Sequence, residues 1–141
     1  ERLLFDDPAE AHKALNDLAA SGIGISIDDF GTGNASLIHL TRFPVGIIKI
    51  DRSFTRAIGR GRVEEALIET ILVMAKRLDL RVVAEGVETR EQYEYLRERN
   101  CDFVQGYFLG RPVSAVEFLE MARETGTPRA DGRSMRGGAA P

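Results

Sequence analysis

A single cysteine, Cys101, and no tryptophan occur among the 141 residues of this sequence. One cysteine excludes an internal disulfide and a cysteine-based zinc cage, and it fits a reducing cytoplasm. The neighbours Phe103 and Val104 point to a buried, unreactive thiol. Histidine is almost as scarce: His12 and His39 have no ligand partner at a fitting spacing and read as surface residues. No apolar run approaches the length of a membrane span. The formal charge of -3 gives no basic field to attract nucleic acid, and Arg60-Gly61-Arg62 reads as a solvated loop. The first residue is Glu1 and no targeting-type segment follows, so the sequence reads as a piece of something longer.

What is present suits one ordinary domain, with 43% hydrophobic residues arranged in four strand-like runs that alternate with helical patterns. The first helix is expected from Asp7 as N-cap, with Pro8 in its first turn, to just before Gly22. Strands are expected over 23–28, 45–51, 80–84 and 103–109. A short helix is expected over 37–40. The clearest helix spans 63–79, with Leu67, Ile68, Ile71, Leu72, Ala75 and Leu78 at spacings of three and four. Thr89-Arg90-Glu91-Gln92 and Ser114-Ala115-Val116-Glu117 have the form of capping boxes that open two more helices. Tyr93 and Tyr95 read as packing and surface residues of the first of these. Residues 124–141, rich in Gly, Pro, Arg and Ser without apolar periodicity, are expected to be a disordered tail.

Strands rich in Ile and Val that alternate with helices indicate an α/β fold with parallel strands buried on both faces. In a (β/α)8 barrel of the TIM type, reactive groups gather at the strand C-termini. Here the apolar runs end in Asp28-Asp29, Lys49-Ile50-Asp51 and Glu85-Gly86-Val87-Glu88. Four strands are half of such a barrel. Adjacent aspartates raise one another's pKa unless a positive charge lies beside them, which suggests a bound cation or a shared proton. With Lys49, Glu85 and Gln105 also at strand ends, the five residues would converge on one mouth. Carboxylates without histidine or thiolate favour Mg²⁺ or Mn²⁺ over zinc. A pair of such ions suits attack of water on a phosphodiester, with Lys49 supplying positive charge to phosphate oxygens. Gly31-Thr32-Gly33 could close over a ligand. Alternatives remain: adjacent aspartates also form empty turns, and Asp29-Phe30-Gly31 is also the kinase metal triplet, though no His-Arg-Asp loop precedes it.

Asp28-Asp29-Phe30-Gly31-Thr32-Gly33, Lys49-Ile50-Asp51-Arg52-Ser53-Phe54, Val83-Ala84-Glu85-Gly86-Val87-Glu88 and Gln105-Gly106-Tyr107 resemble the successive signatures of the EAL domain family, the cyclic-di-GMP phosphodiesterases of bacterial signalling. The resemblance covers residues 1–123 and implies the C-terminal half of an EAL barrel. It implies that Asp28 is shared between two divalent metals, that Asp29 serves the second, and that Lys49 binds the water or phosphate region. Glu85 would serve as a metal ligand and bind or polarise the attacking water, Gln105 would order the mouth, and Glu88 would support the site from its edge. The loop from Gly31 through Thr32 and Gly33 to Ser36 resembles the family's gating segment, in which Asn34-Ala35 replaces the usual Tyr-Ser. Glu1 aligns with a loop-supporting glutamate. The Glu-Ala-Leu motif, an asparagine on the next strand and one further glutamate ligand are not in these 141 residues, so the segment alone is expected to be inactive. The resemblance further implies cyclic-di-GMP as substrate, a linear dinucleotide as product, a homodimer, and an upstream regulatory domain in a cytoplasmic or membrane-tethered parent. A degenerate module that binds cyclic-di-GMP or a partner protein as a receptor is the alternative. Another metal-dependent barrel enzyme, such as an enolising one, is a third.

Overall fold

Hydrophobic periodicity sets most of the chain's elements, and a computed structural model describes them for residues 8–32 and 37–124. In chain order they are α1 (Pro8–Ala20), β1 (Ile25–Phe30), α2 (Leu37–Arg42), β2 (Val45–Ile50), α3 (Arg52–Arg56), α4 (Arg62–Arg77), β3 (Arg81–Glu85), α5 (Arg90–Glu98), β4 (Phe103–Gln105) and α6 (Ala115–Glu124). The four strands form one parallel sheet in the order β1-β2-β3-β4, as successive βα units require. This is the expected α/β architecture. Residues up to Leu109 form one unit, and α6 belongs to a second that begins at Gly110. Asp7, Glu1, Gly33, Asn34 and Ala35, and the expected tail from 125 onward, lie outside the described residues.

One face of the sheet is closed. Ile48 and Ile50 of β2 and Val82 and Ala84 of β3 are buried with Ile68, Ile71, Leu72 and Ala75, the inner stripe of α4. These residues recur at three and four along the helix, so one side of it faces the sheet. Leu67 and Leu78, expected on that stripe, are instead exposed, because they fall at its margins. Acidic Glu64 and Glu65 in the first turn of α4 and basic Lys76 and Arg77 in its last complement the helix dipole. The opposite face carries Ser26, Asp28, Lys49, Val83, Glu85, Phe103 and Gln105, half-buried or exposed. Burial on both faces was the expectation; within the described residues only the helix-covered face is buried.

Three helices end the same way. The amide of Ile23 donates to the carbonyl of Leu18, that of Leu80 to Ala75, and that of Cys101 to Leu96, at 2.9–3.1 Å. The residue before each donor, Gly22, Asp79 and Asn100, has φ between 56° and 82°. This is the Schellman arrangement, which satisfies helix carbonyls and turns the chain toward its next strand within a few residues. At the start of α5 the capping box forms as expected: the Thr89 hydroxyl accepts from the Gln92 amide at 3.2 Å, and the Gln92 side chain accepts from the Thr89 amide at 3.1 Å. Ser114 and Glu117 make the same reciprocal pair ahead of α6.

Most boundaries shift by a residue or two from expectation, and three of the differences have a clear physical cause. Strand β1 runs through the aspartate pair to Phe30 because β2 continues to pair with it. Asp51 is not the end of β2 but the N-cap of α3, a helix without a sequence-level expectation; its carboxylate accepts from the Ser53 amide at 2.9 Å. Strand β4 stops at Gln105 rather than 109. There Gly106 passes so close to Val87 that a Cβ would lie 2.6 Å from the Val87 carbonyl carbon, and the Phe108 amide donates to the Val87 carbonyl at 3.0 Å. The chain therefore turns across Val87, just beyond the end of β3, instead of extending beside that strand.

Candidate active site

Parallel strands end together, so the side chains at their C-termini share one rim. In β1 and β2, Ile27 pairs with Ile48 and Phe30 with Ile50, which leaves two residues, Asp28 and Asp29, opposite Lys49 alone. This is a β-bulge. Asp29 has φ 50°, the left-handed conformation that such an extra residue adopts. In a regular strand adjacent side chains point to opposite faces. The bulge abolishes that alternation, and carboxylate oxygens of Asp28, Asp29 and Glu85 lie within 4.8 Å of one another.

Lys49 sits between them. Its Nζ donates to Asp28 Oδ1 at 2.8 Å and also makes an ion pair with Glu85 Oε1. The side chains of Lys49 and Glu85 are 24% and 21% exposed, and that of Asp28 is 63% exposed, so the group is shielded by the sheet and open toward the mouth. Hydrogen bonding to Asp28, and next to Glu85, holds the Lys49 ammonium above its ordinary pKa range, against the opposing effect of burial. It therefore stays charged throughout the physiological range. The donor set fits a hard divalent cation: every anionic ligand is a carboxylate oxygen, and neither imidazole nor thiolate is among the three.

The remaining expected residues fall around this centre. Gln105 ends β4 in register with Glu85 and is exposed at the same rim. Gly31 has φ 102°, and a Cβ there would lie 2.7 Å from the ring of Phe54 on α3. Thr32 turns back, its hydroxyl donating to the Asp29 carbonyl at 2.8 Å. Glu88 stands apart from the three carboxylates and pairs with Arg56 Nη2 at 3.1 Å. Glu1 and Gly33 lie outside the described residues. Cys101 is half-buried; its thiol donates to the Phe103 carbonyl at 3.2 Å, and burial pushes its pKa up to about 11. Tyr95 donates to the Glu65 carbonyl at 3.3 Å and carries the Arg99 guanidinium on its ring face, which makes it a packing residue of α4 and α5. Neither the bulge nor the double ion pair of Lys49 has a local sequence signal beyond the aspartate pair itself.

The EAL domain family model matches residues 1–112. The Escherichia coli probable cyclic di-GMP phosphodiesterase PdeN is 42% identical over 120 residues, which are 85% of this chain and 23% of that protein. The solved PaMucR phosphodiesterase in complex with c-di-GMP is 41% identical with a TM-score of 0.74, over 82% of this chain and 47% of that one. A manganese and cyclic-di-GMP complex of Klebsiella pneumoniae BlrP1 is 33% identical with a TM-score of 0.70, over 77% of this chain and 28% of that one. The chain thus spans about a quarter of the curated relative and under half of the solved phosphodiesterase. With four parallel strands of a TIM-type barrel and its signature residues gathered at their C-terminal ends, this chain belongs to the EAL domain family.

Proposed function

We propose that the protein carrying this chain hydrolyses cyclic-di-GMP to a linear dinucleotide with two Mg²⁺ or Mn²⁺ ions, and that residues 1–123 are the C-terminal half of its catalytic barrel. The observation that carries this is the convergence of Asp28, Asp29 and Glu85 around Lys49 at one rim. In the reaction, a water oxygen forms a bond to phosphorus, the P–O bond to the ribose 3′ oxygen breaks, and the leaving oxygen takes up a proton. Asp28, Asp29 and Glu85 would hold the ions, with Asp28 serving both. When bound, these ions supply a water of lowered pKa and neutralise phosphate charge. The Glu85 carboxylate would also orient the attacking water and accept its proton at an oxygen. Lys49 Nζ donates to a phosphate oxygen, and that bond strengthens as charge develops there. The Gln105 amide orients substrate at the rim, and Thr32 supports the loop that leads from Asp29. Glu88 acts one layer out through Arg56, fixing α3 against the entry to α5.

The 141-residue segment by itself is proposed to be inactive, because a two-ion clamp needs more ligands than these three carboxylates provide. A regulatory domain, a cytoplasmic setting and a homodimer belong to the same reading of the parent. The test is turnover of cyclic-di-GMP with Mn²⁺ in the full protein. Asp28→Asn should reduce it at least about a thousandfold, the scale of a lost essential electrostatic group, whereas Asp51→Asn, which keeps a capping side chain, should change it little. Comparable losses at both positions refute the assignment. Binding without turnover in the wild type would make the protein a cyclic-di-GMP receptor instead.

A further inference from the structure

Lys49 is the shared counter-charge of two strands. Its strand β2 lies between β1 and β3, so one ammonium reaches Asp28 on one side and Glu85 on the other. Among the described residues Asp28 and Glu85 make their ion pairs with Lys49, and Arg56 is engaged with Glu88. Three carboxylates against one ammonium leave two formal negative charges, the complement of one divalent ion.

We infer that Lys49 is a built-in stand-in for the cation: it neutralises Asp28 and Glu85 in the metal-free protein and competes with a divalent ion for the same two groups. This rests on the divalent-metal reading above and adds to it a role for Lys49 before substrate arrives. An incoming ion must take carboxylates already engaged by the ammonium and also bear its repulsion, which is strong at the few ångströms available. The ligands do not depend on Lys49 for their approach, since the bulge fixes Asp28 and the end of β3 fixes Glu85. Neutralising Lys49 should therefore remove more repulsion than organisation. A lysine that served only the phosphate would leave metal affinity unchanged.

The experiment is a Mn²⁺ titration of the full protein without nucleotide, following loss of the free-ion electron paramagnetic resonance signal, with thermal melts in parallel. Lys49→Met and Lys49→Gln are compared with wild type and with the charge-preserving Lys49→Arg, and circular dichroism verifies the fold of each. Both neutral variants should bind Mn²⁺ about tenfold more tightly, melt lower without metal, and gain more from it, while Lys49→Arg stays near wild type. Equal or weaker binding by the neutral variants overturns this inference and leaves the metal reading standing. Wild-type protein that binds no Mn²⁺ overturns both.

Discussion

Gly106→Ala tests the junction on which the site's outer strands depend. Gly106 follows Gln105 at the end of β4, where the chain crosses Val87 two residues beyond Glu85. An added Cβ would overlap the Val87 backbone amide and carbonyl, and would lie 2.6 Å from the carbonyl carbon. Both partners are main chain, so no side-chain rotation relieves the contact. Two hydrogen bonds pin the crossing: Val87 N–H to the Gln105 carbonyl at 3.1 Å, and Phe108 N–H to the Val87 carbonyl at 3.0 Å. Each is worth about 1 kcal/mol net. Displacing fully buried Val87 adds an overpacking cost of about 1–3 kcal/mol. The sum is about 3–5 kcal/mol, and for a domain of this size it lowers Tm by about 10–15 °C. Thermal and urea unfolding of the full protein measure it. Gly24→Ala is the control, because nothing lies within 4 Å of its added methyl. Should Gly106→Ala and Gly24→Ala melt together, the close crossing does not exist as described and Gln105 is not held beside Glu85 by it.

Three further outcomes are expected. Thr55 is fully buried and its hydroxyl has no partner among the described residues, so Thr55→Val, which keeps the shape, should stabilise by about 1 kcal/mol in urea melts; destabilisation would reveal an acceptor for that hydroxyl. Hydrogen bonds from Ser53 hold the Asp51 carboxyl below its usual range, and this stabilisation is present above the unfolded pKa and lost as pH falls through the lower folded value. Asp51→Ala should accordingly cost about 1 kcal/mol at neutral pH and progressively less below about pH 3.9, and a deficit constant across that range would remove the carboxylate from the cap. With the Cys101 thiol raised to about 11, its thiolate at pH 8 is about a hundredfold scarcer than in the unfolded chain, so iodoacetamide should label native protein slowly and urea-unfolded protein promptly. Equal rates in the two states would mean that burial does not control this thiol.

Local sequence carries whatever neighbouring residues can decide between them. The stripe of Ile68, Ile71, Leu72 and Ala75, the capping boxes at Thr89 and Ser114, and the order of the four strands all rest on spacings of a few residues, and the structure reproduces them. The aspartate pair, Lys49 and Glu85 stand out as candidates because each lies at or near the end of an apolar run and because their motifs occur in a recognisable order. Tertiary structure decided where each group points. Lys49 and Asp28 are 21 residues apart and meet because β1 and β2 pair in a particular register. The bulge that turns Asp28 and Asp29 toward one group arises from that pairing, since a local pattern of alternation would have sent them to opposite faces. Asp51, expected as the last residue of the second strand, is drawn into a cap where the chain turns into α3. Strand β4 looked seven residues long until Gly106 met the backbone of Val87. Except for the local cap of Asp51 on Ser53, the deciding contact in each case joins segments distant in sequence, and only the packed sheet brings them within reach.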